Sequence, residues 1–126
     1  LDFLLKEKDL CYQWARLFYI YGEGQNKNSL LSQLDSAIKN KEEFFNMSKG
    51  EQLRDYLPVQ EVAKQILYLF MIHKKGVFNI CSGEPISVRS LVEARISQYQ
   101  SKIKLNLGHF PYPSYEPIAF WGVKEL

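Results

Sequence analysis

The stretch CYQWARLFYIYG, Cys11 to Gly22, leaves this chain little choice of architecture. Its aromatic and β-branched residues run almost without a polar break, which marks a strand. The near-continuous apolarity predicts burial on both faces, as in a parallel sheet. Segments of helical period stand between this run and the later ones. Asn28 or Ser29 can cap a helix through about Lys39, with Leu30, Leu31, Leu34, Ala37 and Ile38 on its apolar face. A second helical period runs from Val59 to about His73 through Val62, Ala63, Ile66, Leu67 and Phe70, and Pro58 stands where a first turn tolerates proline. Ser87 caps a third, with Val88, Leu91, Val92 and Ile96 aligned.

Strands fill the gaps. Phe44 to Met47 reads as a short strand followed by a turn over Ser48 to Gln52. GVFNICSG is a glycine-bounded strand, and KIKLNL alternates as a strand with one solvated face. Leu1 to Lys8 reads as the end of a helix, with Leu1, Leu4 and Leu5 on one side. The tail GHFPYPSYEPIAFWG is rich in proline and aromatics; it is expected to wrap over a surface, with one short helical turn near Phe120. Regular alternation of helix and strand argues an α/β architecture, and 126 residues suffice for one domain with a real core.

Composition narrows the function classes. Sixteen basic against fourteen acidic residues leave a formal charge of +2, too little to argue for nucleic acid or an anionic membrane surface. Cys11 and Cys81 stand far apart in apolar surroundings and read as two buried free thiols, which suits a reducing, cytoplasmic compartment. His73 and His109 are the only histidines and neither sits at ligand spacing from a cysteine, so no metal site is expected. LDFLLKEKDL is too charged for a signal peptide. The chain opens at Leu1 within a helical pattern and reads as a piece of something longer.

The chemistry-bearing motifs are mostly missing. GEGQNK has two glycines in G-x-G spacing but lacks the third of a dinucleotide fingerprint. There is no P-loop, no G-x-S-x-G and no plausible Cys–His pair. What remains is GEQLRDYLPVQEVAKQ, Gly50 to Gln65. Arg54 has the geometry to fork onto a phosphate and Tyr56 to bond a sugar or base. Equally, Arg54 can pair with nearby acids while Asp55 supports the following helix. RLFYIYG and YPSYEP carry the same ambiguity, one between a ligand-facing strand and an aromatic core, the other between a loop over a pocket and a packed tail.

Four pieces in a fixed order resolve part of this: WARLFYIYGEGQ, GEQLRDYLPVQEVAKQILYL, VFNICSGEPISVRSLVE and YPSYEPIAFWG. Together they resemble the C-terminal half of an NAD(P)-dependent nucleotide-sugar epimerase/dehydratase of the extended short-chain dehydrogenase/reductase family, and the resemblance covers nearly the whole chain. It implies an α/β fold that is the C-terminal, substrate-binding part of an extended Rossmann-type dehydrogenase. On this view residues 1–126 form one fragment: the last sheet strands plus a nucleotide-sugar-binding subdomain, without a complete dinucleotide-binding fold. The glycine fingerprint and the catalytic Tyr-x-x-x-Lys would lie before Leu1, so no catalytic residue is expected here.

By position in the resemblance, Phe18 approaches the cofactor, NAD or NADP, and Tyr19 contacts substrate. Ser29 and Leu30 border the nucleotide, and Phe45 and Met47 pack on the base. Arg54 grips the diphosphate with Tyr56 beside it, and Glu84 lies on a loop closing over the base. Many relatives carry a second arginine where this chain reads Tyr112, Pro113 and Ser114; either Tyr112 or Tyr115 takes its place, or the nucleotide is held differently. A second departure is Val123, where close members carry Asp. The implied partners are a nucleoside-diphosphate sugar and a second copy in a homodimer, with neither nucleic acid nor membrane. The implied setting is sugar synthesis for bacterial surface polysaccharides. A non-catalytic nucleotide-ligand binding or assembly module derived from the same family is the alternative. The isolated chain is expected to be inactive and to bind cofactor poorly.

Overall fold

The structure, a computed structural model, describes Lys6 and residues 11–126. Apart from Lys6, which is helical, the helix end expected over Leu1 to Lys8 lies outside the described residues. The order is β1 (Gln13–Leu17), β2 (Tyr19–Tyr21), α1 (Leu30–Lys39), β3 (Phe44–Asn46), β4 (Leu53–Arg54), β5 (Tyr56–Pro58), α2 (Val59–Ile72), β6 (Gly76–Ile80), β7 (Ile86–Ser87), α3 (Val88–Gln98), β8 (Lys104–Asn106) and β9 (Ala119–Phe120). These elements form two compact units. One takes the residues up to Gly22, Asp55–Glu84 and Trp121–Leu126; the other takes Glu23–Arg54 and Pro85–Phe120.

In the first unit the long apolar run changes partner midway. β1 pairs in parallel with β6, from Gln13 opposite Gly76 to Leu17 opposite Ile80. β2 pairs in parallel with β5, Tyr19 opposite Tyr56. The change falls at Phe18, where the strand breaks. The core of this unit is Leu57, Val62, Leu69, Phe78 and Ile80, with Ala15, Ile20 and Ile72 against it. Each such side chain, once buried, contributes about 1.5–3 kcal/mol. The expected burial of the run on both faces is corrected: Trp14 and Leu17 are more than half exposed. The core cluster covers the side bearing Ala15 and Ile20, and within the described residues no second layer covers Trp14.

The second unit carries α1 and α3, tied by a two-pronged ion pair in which Arg95 Nε and Nη2 donate to Asp35 at 2.9 and 2.7 Å. Leu31, Leu34 and Ala37 of α1 and Val88, Leu91 and Val92 of α3 are buried. β3 pairs in parallel with β8. β4 lies between β7, antiparallel, and β9, parallel. The helical turn expected near Phe120 is therefore a strand. Leu53 N–H donates to Ile118 O at 2.8 Å, and an edge that offers ladder bonds outcompetes helix in a proline-rich tail.

Two further expectations change at the level of single side chains. Ser29 stands at the N-cap of α1 but makes no capping bond; its hydroxyl bonds Ser32 Oγ at 2.9 Å. Ser87 does cap α3, accepting from Ser90 N–H at 3.0 Å. Both thiols are free, but only Cys81 is buried; Cys11 is exposed. No helix among the described residues is long and apolar enough to cross a membrane.

Candidate functional site

Arg54 and Asp55 are both buried, at 3% and 0% exposure, and the boundary between the two units falls between them. A buried charge demands compensation, and the neighbours meet that demand differently. Asp55 Oδ1 accepts from Ser82 N–H at 2.8 Å. Its Oδ2 accepts from Gly83 N–H at 2.9 Å and Gly122 N–H at 3.3 Å. Asp55 thus clamps the loop after β6 and the last segment of the first unit, and does not support the following helix. Gln65 extends this clamp by bonding both the N–H and the C=O of Cys81, at 3.2 and 3.0 Å. Burial first, and then the carboxylate of Asp55, push the Cys81 thiol up from its ordinary value.

In the same unit, Phe18 is half-buried and its ring tip reaches Gly122. A Cβ on Gly122 would stand 2.9 Å from Phe18 Cζ and 2.6 Å from Cys81 Sγ, so only glycine allows this approach. Tyr19 packs on Tyr56 with ring centroids 5.5 Å apart, and Tyr21 meets Tyr56 edge-on at 6.5 Å. The structure therefore brings Tyr19 and Tyr56 together, as adjacent parallel strands require. Glu84 is exposed at the end of the Ser82 loop, where its N–H donates to Ser82 Oγ at 3.0 Å.

The second unit holds Arg54 and most of the other candidates. Arg54 Nη1 donates to Leu53 O at 2.9 Å and reaches Ile118 O at 3.4 Å, while Nη2 donates to Pro117 O at 2.8 Å. Glu116 faces Nη2 at 3.6 Å. Tyr112 is held by one residue of the opposite loop: it donates to Glu51 Oε2 and accepts from Glu51 N–H, both at 3.0 Å. Loss of water around the phenol, reinforced by the Glu51 carboxylate and partly offset by the Glu51 N–H, pushes Tyr112 up from its ordinary value. Tyr115 is 84% exposed.

Phe45 and Met47 are buried at 6% and 2%. Phe45 borders a hollow of about 460 Å³ lined also by Phe44, Asn46, Phe110, Gln33 and Ala37, with Lys27, Ser36 and Glu42 completing its wall. Three aromatic side chains beside amide, hydroxyl and charged groups offer a heteroaromatic ring both a stacking surface and polar partners. Met47 is not among its lining residues; its backbone joins Asn106 O and His109 N–H at 3.2 and 3.0 Å. Ser29 and Leu30 open α1, half-buried.

Sequence reasoning missed Glu116, Glu51 and Gln33. Glu116 had a signal, being the only acid between Ser101 and Gly122 and so the one tail residue able to answer a buried arginine. Glu51 and Gln33 had none, because their roles depend on which loop and which helix face meet in space.

Comparison with known proteins gives the family and the fold. Residues 4–81 match the NAD dependent epimerase/dehydratase family. A dTDP-6-deoxy-L-talose 4-dehydrogenase (NAD(+)) of Aggregatibacter actinomycetemcomitans is 34% identical over 98% of this chain and 46% of its own length. A GDP-6-deoxy-D-talose 4-dehydrogenase of the same organism is 30% identical over 73% of this chain and 32% of its own. The structure of a UDP-N-acetylglucosamine 4-epimerase from Methanobrevibacter ruminantium M1, in complex with UDP-N-acetylmuramic acid, superposes with a TM-score of 0.85. That match is 23% identical and covers 98% of this chain and 41% of the other. The α/β fold is thus that of part of an extended Rossmann-type enzyme, and the chain spans less than half the length of the curated relatives it matches. Family match, relatives and fold converge: the chain belongs to the NAD dependent epimerase/dehydratase family.

Proposed function

We propose that residues 1–126 are the nucleotide-sugar-binding portion of an NAD- or NADP-dependent sugar-nucleotide epimerase or dehydratase, serving the synthesis of sugars for bacterial surface polysaccharides in the cytoplasm. In this reading the chain holds the last sheet strands and the substrate-binding subdomain, and the parent enzyme is a homodimer. The observation that carries the reading is a buried arginine in the same unit as an aromatic-walled hollow: Arg54 is 3% exposed and Phe45 borders the hollow. A nucleoside diphosphate needs a fixed cation and a flat slot. The relatives' names support the ligand class, since they act on dTDP- and GDP-sugars.

Each residue then has a task. Arg54 takes the diphosphate, with Tyr56 beside it. Phe45 walls the base slot and Met47 fixes the strand end behind it. Ser29 and Leu30 border the nucleotide at the start of α1, and Glu84 ends a loop that closes over the base. Tyr19, packed at a tilt on Tyr56, faces the sugar. Tyr112 stands where many relatives carry a second arginine, but its bonds to Glu51 give it the work of positioning the tail, and exposed Tyr115 is left as the phenol able to reach a ligand. Phe18 supplies one edge toward the nicotinamide, which would accept and return a hydride when bound. No Tyr-x-x-x-Lys occurs in these residues, and we propose that the chain alone binds without catalysing.

Arg54→Ala in the protein is expected to weaken sugar-nucleotide binding by about 2 kcal/mol, roughly thirtyfold, with a far smaller effect on NAD(P) affinity. Isothermal titration with UDP-, dTDP- and GDP-sugars measures both. Unchanged sugar-nucleotide affinity together with a lowered Tm would leave Arg54 a structural ion-pair residue.

A further inference from the structure

We infer that Glu116 is a stand-in anion for Arg54, occupying the phosphate position in the free protein and giving way when a ligand's phosphate arrives. The inference rests on the reading of Arg54 as the diphosphate contact and concerns how that site is kept when empty.

Arg54 is 3% exposed, and a guanidinium so deep is costly without a counter-charge. The tail segment supplies that charge. Carbonyls of Pro117 and Ile118 cap the guanidinium at 2.8 and 3.4 Å, and the Glu116 carboxylate stands 3.6 Å from Nη2. These contacts differ in kind. The nearer carbonyl makes a good hydrogen bond, whereas 3.6 Å is an electrostatic contact beyond hydrogen-bond reach. The Arg95–Asp35 pair in the same unit shows a committed ion pair, closed at 2.7 and 2.9 Å. The Glu116 side chain is also 41% exposed, where that of Arg54 is 4%. An anion arriving from water therefore meets Glu116 before it meets the arginine.

The segment around Glu116 is secured on both sides of it. Upstream, Tyr112 is fastened to Glu51 by two bonds of 3.0 Å. Downstream, β9 is laddered onto β4, with Leu53 N–H on Ile118 O at 2.8 Å. Between these anchors Glu116 can rotate its carboxylate outward without unfastening either end. A phosphate then exchanges one anion for another, and Arg54 is never left bare. The arrangement lowers affinity, because the ligand must displace a carboxylate. It also keeps the arginine fixed for the ligand it is to receive.

The test is Glu116→Gln in the protein, with UDP and uridine as probes. The variant is expected to melt lower when empty, to show a larger UDP-induced rise in Tm, and to bind UDP about threefold tighter, in keeping with a half-exposed ion pair. Uridine, which has no phosphate, is expected to bind both forms alike. In an Arg54→Lys background, which keeps a cation if Arg54→Ala does not fold, the gain from Glu116→Gln should shrink. Weaker UDP binding by Glu116→Gln would make Glu116 a direct ligand contact and overturn the inference. So would a lower Tm with an unchanged UDP-induced shift, which is all that a structural ion pair produces. If Arg54→Ala leaves UDP affinity intact, the reading of Arg54 itself falls and the inference with it. A loss with Arg54→Ala beside no gain with Glu116→Gln overturns the inference alone.

Discussion

Asp55 joins three backbone N–H groups that are distant in sequence, from Ser82, Gly83 and Gly122. No other acceptor can replace it without moving one of those loops, so the carboxylate fixes where the first unit's last segment lies. Removing it should cost about 3 kcal/mol, since buried donors left without acceptors lose the compensation for their desolvation. Asp55→Ala is therefore expected to shift the urea midpoint down with little change in slope, and Asp55→Asn, which keeps one oxygen, to recover part of the loss. A midpoint unmoved by Asp55→Ala would mean that water serves those N–H groups equally well. The neighbouring thiol belongs to the same knot: Cys81 is fully buried, bonded through its backbone to Gln65, and kept in the thiol form by burial and by Asp55. The apolar surroundings of Cys81 were readable in the sequence. Those of Cys11 were misleading, because Cys11 lies two residues before β1 begins, and the aromatic run beside it does not say where the strand starts.

At the scale of elements, the helices were legible and the shortest strands were not. α1, α2 and α3 run 10, 14 and 11 residues, long enough for the 3.6-residue period to declare itself and for caps to be placed. β4, β7 and β9 have two residues each, too few to show a period of two. Their pairing is decided by what lies alongside, and for that reason the tail read as a helical turn. The caps divide similarly. Ser87 was legible because its hydroxyl has a local partner, Ser90 N–H. Ser29 has the right backbone but turns its hydroxyl to Ser32. Ser87→Ala should thus lower stability by about 1 kcal/mol, while Ser29→Ala should change it by a few tenths at most. Thermal melts of the two variants compare them directly, and equal losses would contradict the assignment.

At the scale of the whole molecule, the candidate site was legible only as residue types in a familiar order. Composition and period could not say that Arg54 would be buried beneath Glu116, or that Tyr112 would be fastened to Glu51, because both depend on the tail's path over β4. One surface feature of the first unit also lay hidden in a pattern that looked like core. α2 has apolar residues around most of its circumference, yet only Val62 and Leu69 are buried. Leu67, Phe70 and Met71 stand 60%, 72% and 65% exposed, and Tyr68 53%. The chain spans less than half the length of the curated relatives it matches, so in a whole enzyme this apolar face is open to the remaining residues as well as to a second copy. In the proposed homodimer a second copy is one occupant for it, and the chain by itself is expected to self-associate through this face. Leu67→Glu with Phe70→Lys places an ion pair one turn apart on that face without touching Val62 or Leu69. Sedimentation velocity should show the double variant shifted toward monomer while its far-UV circular dichroism matches the parent. A parent already monomeric, or a variant that associates as before, would assign the association to another surface, such as the open edge of the β1–β6 pair, where an unpaired ladder invites a neighbouring strand.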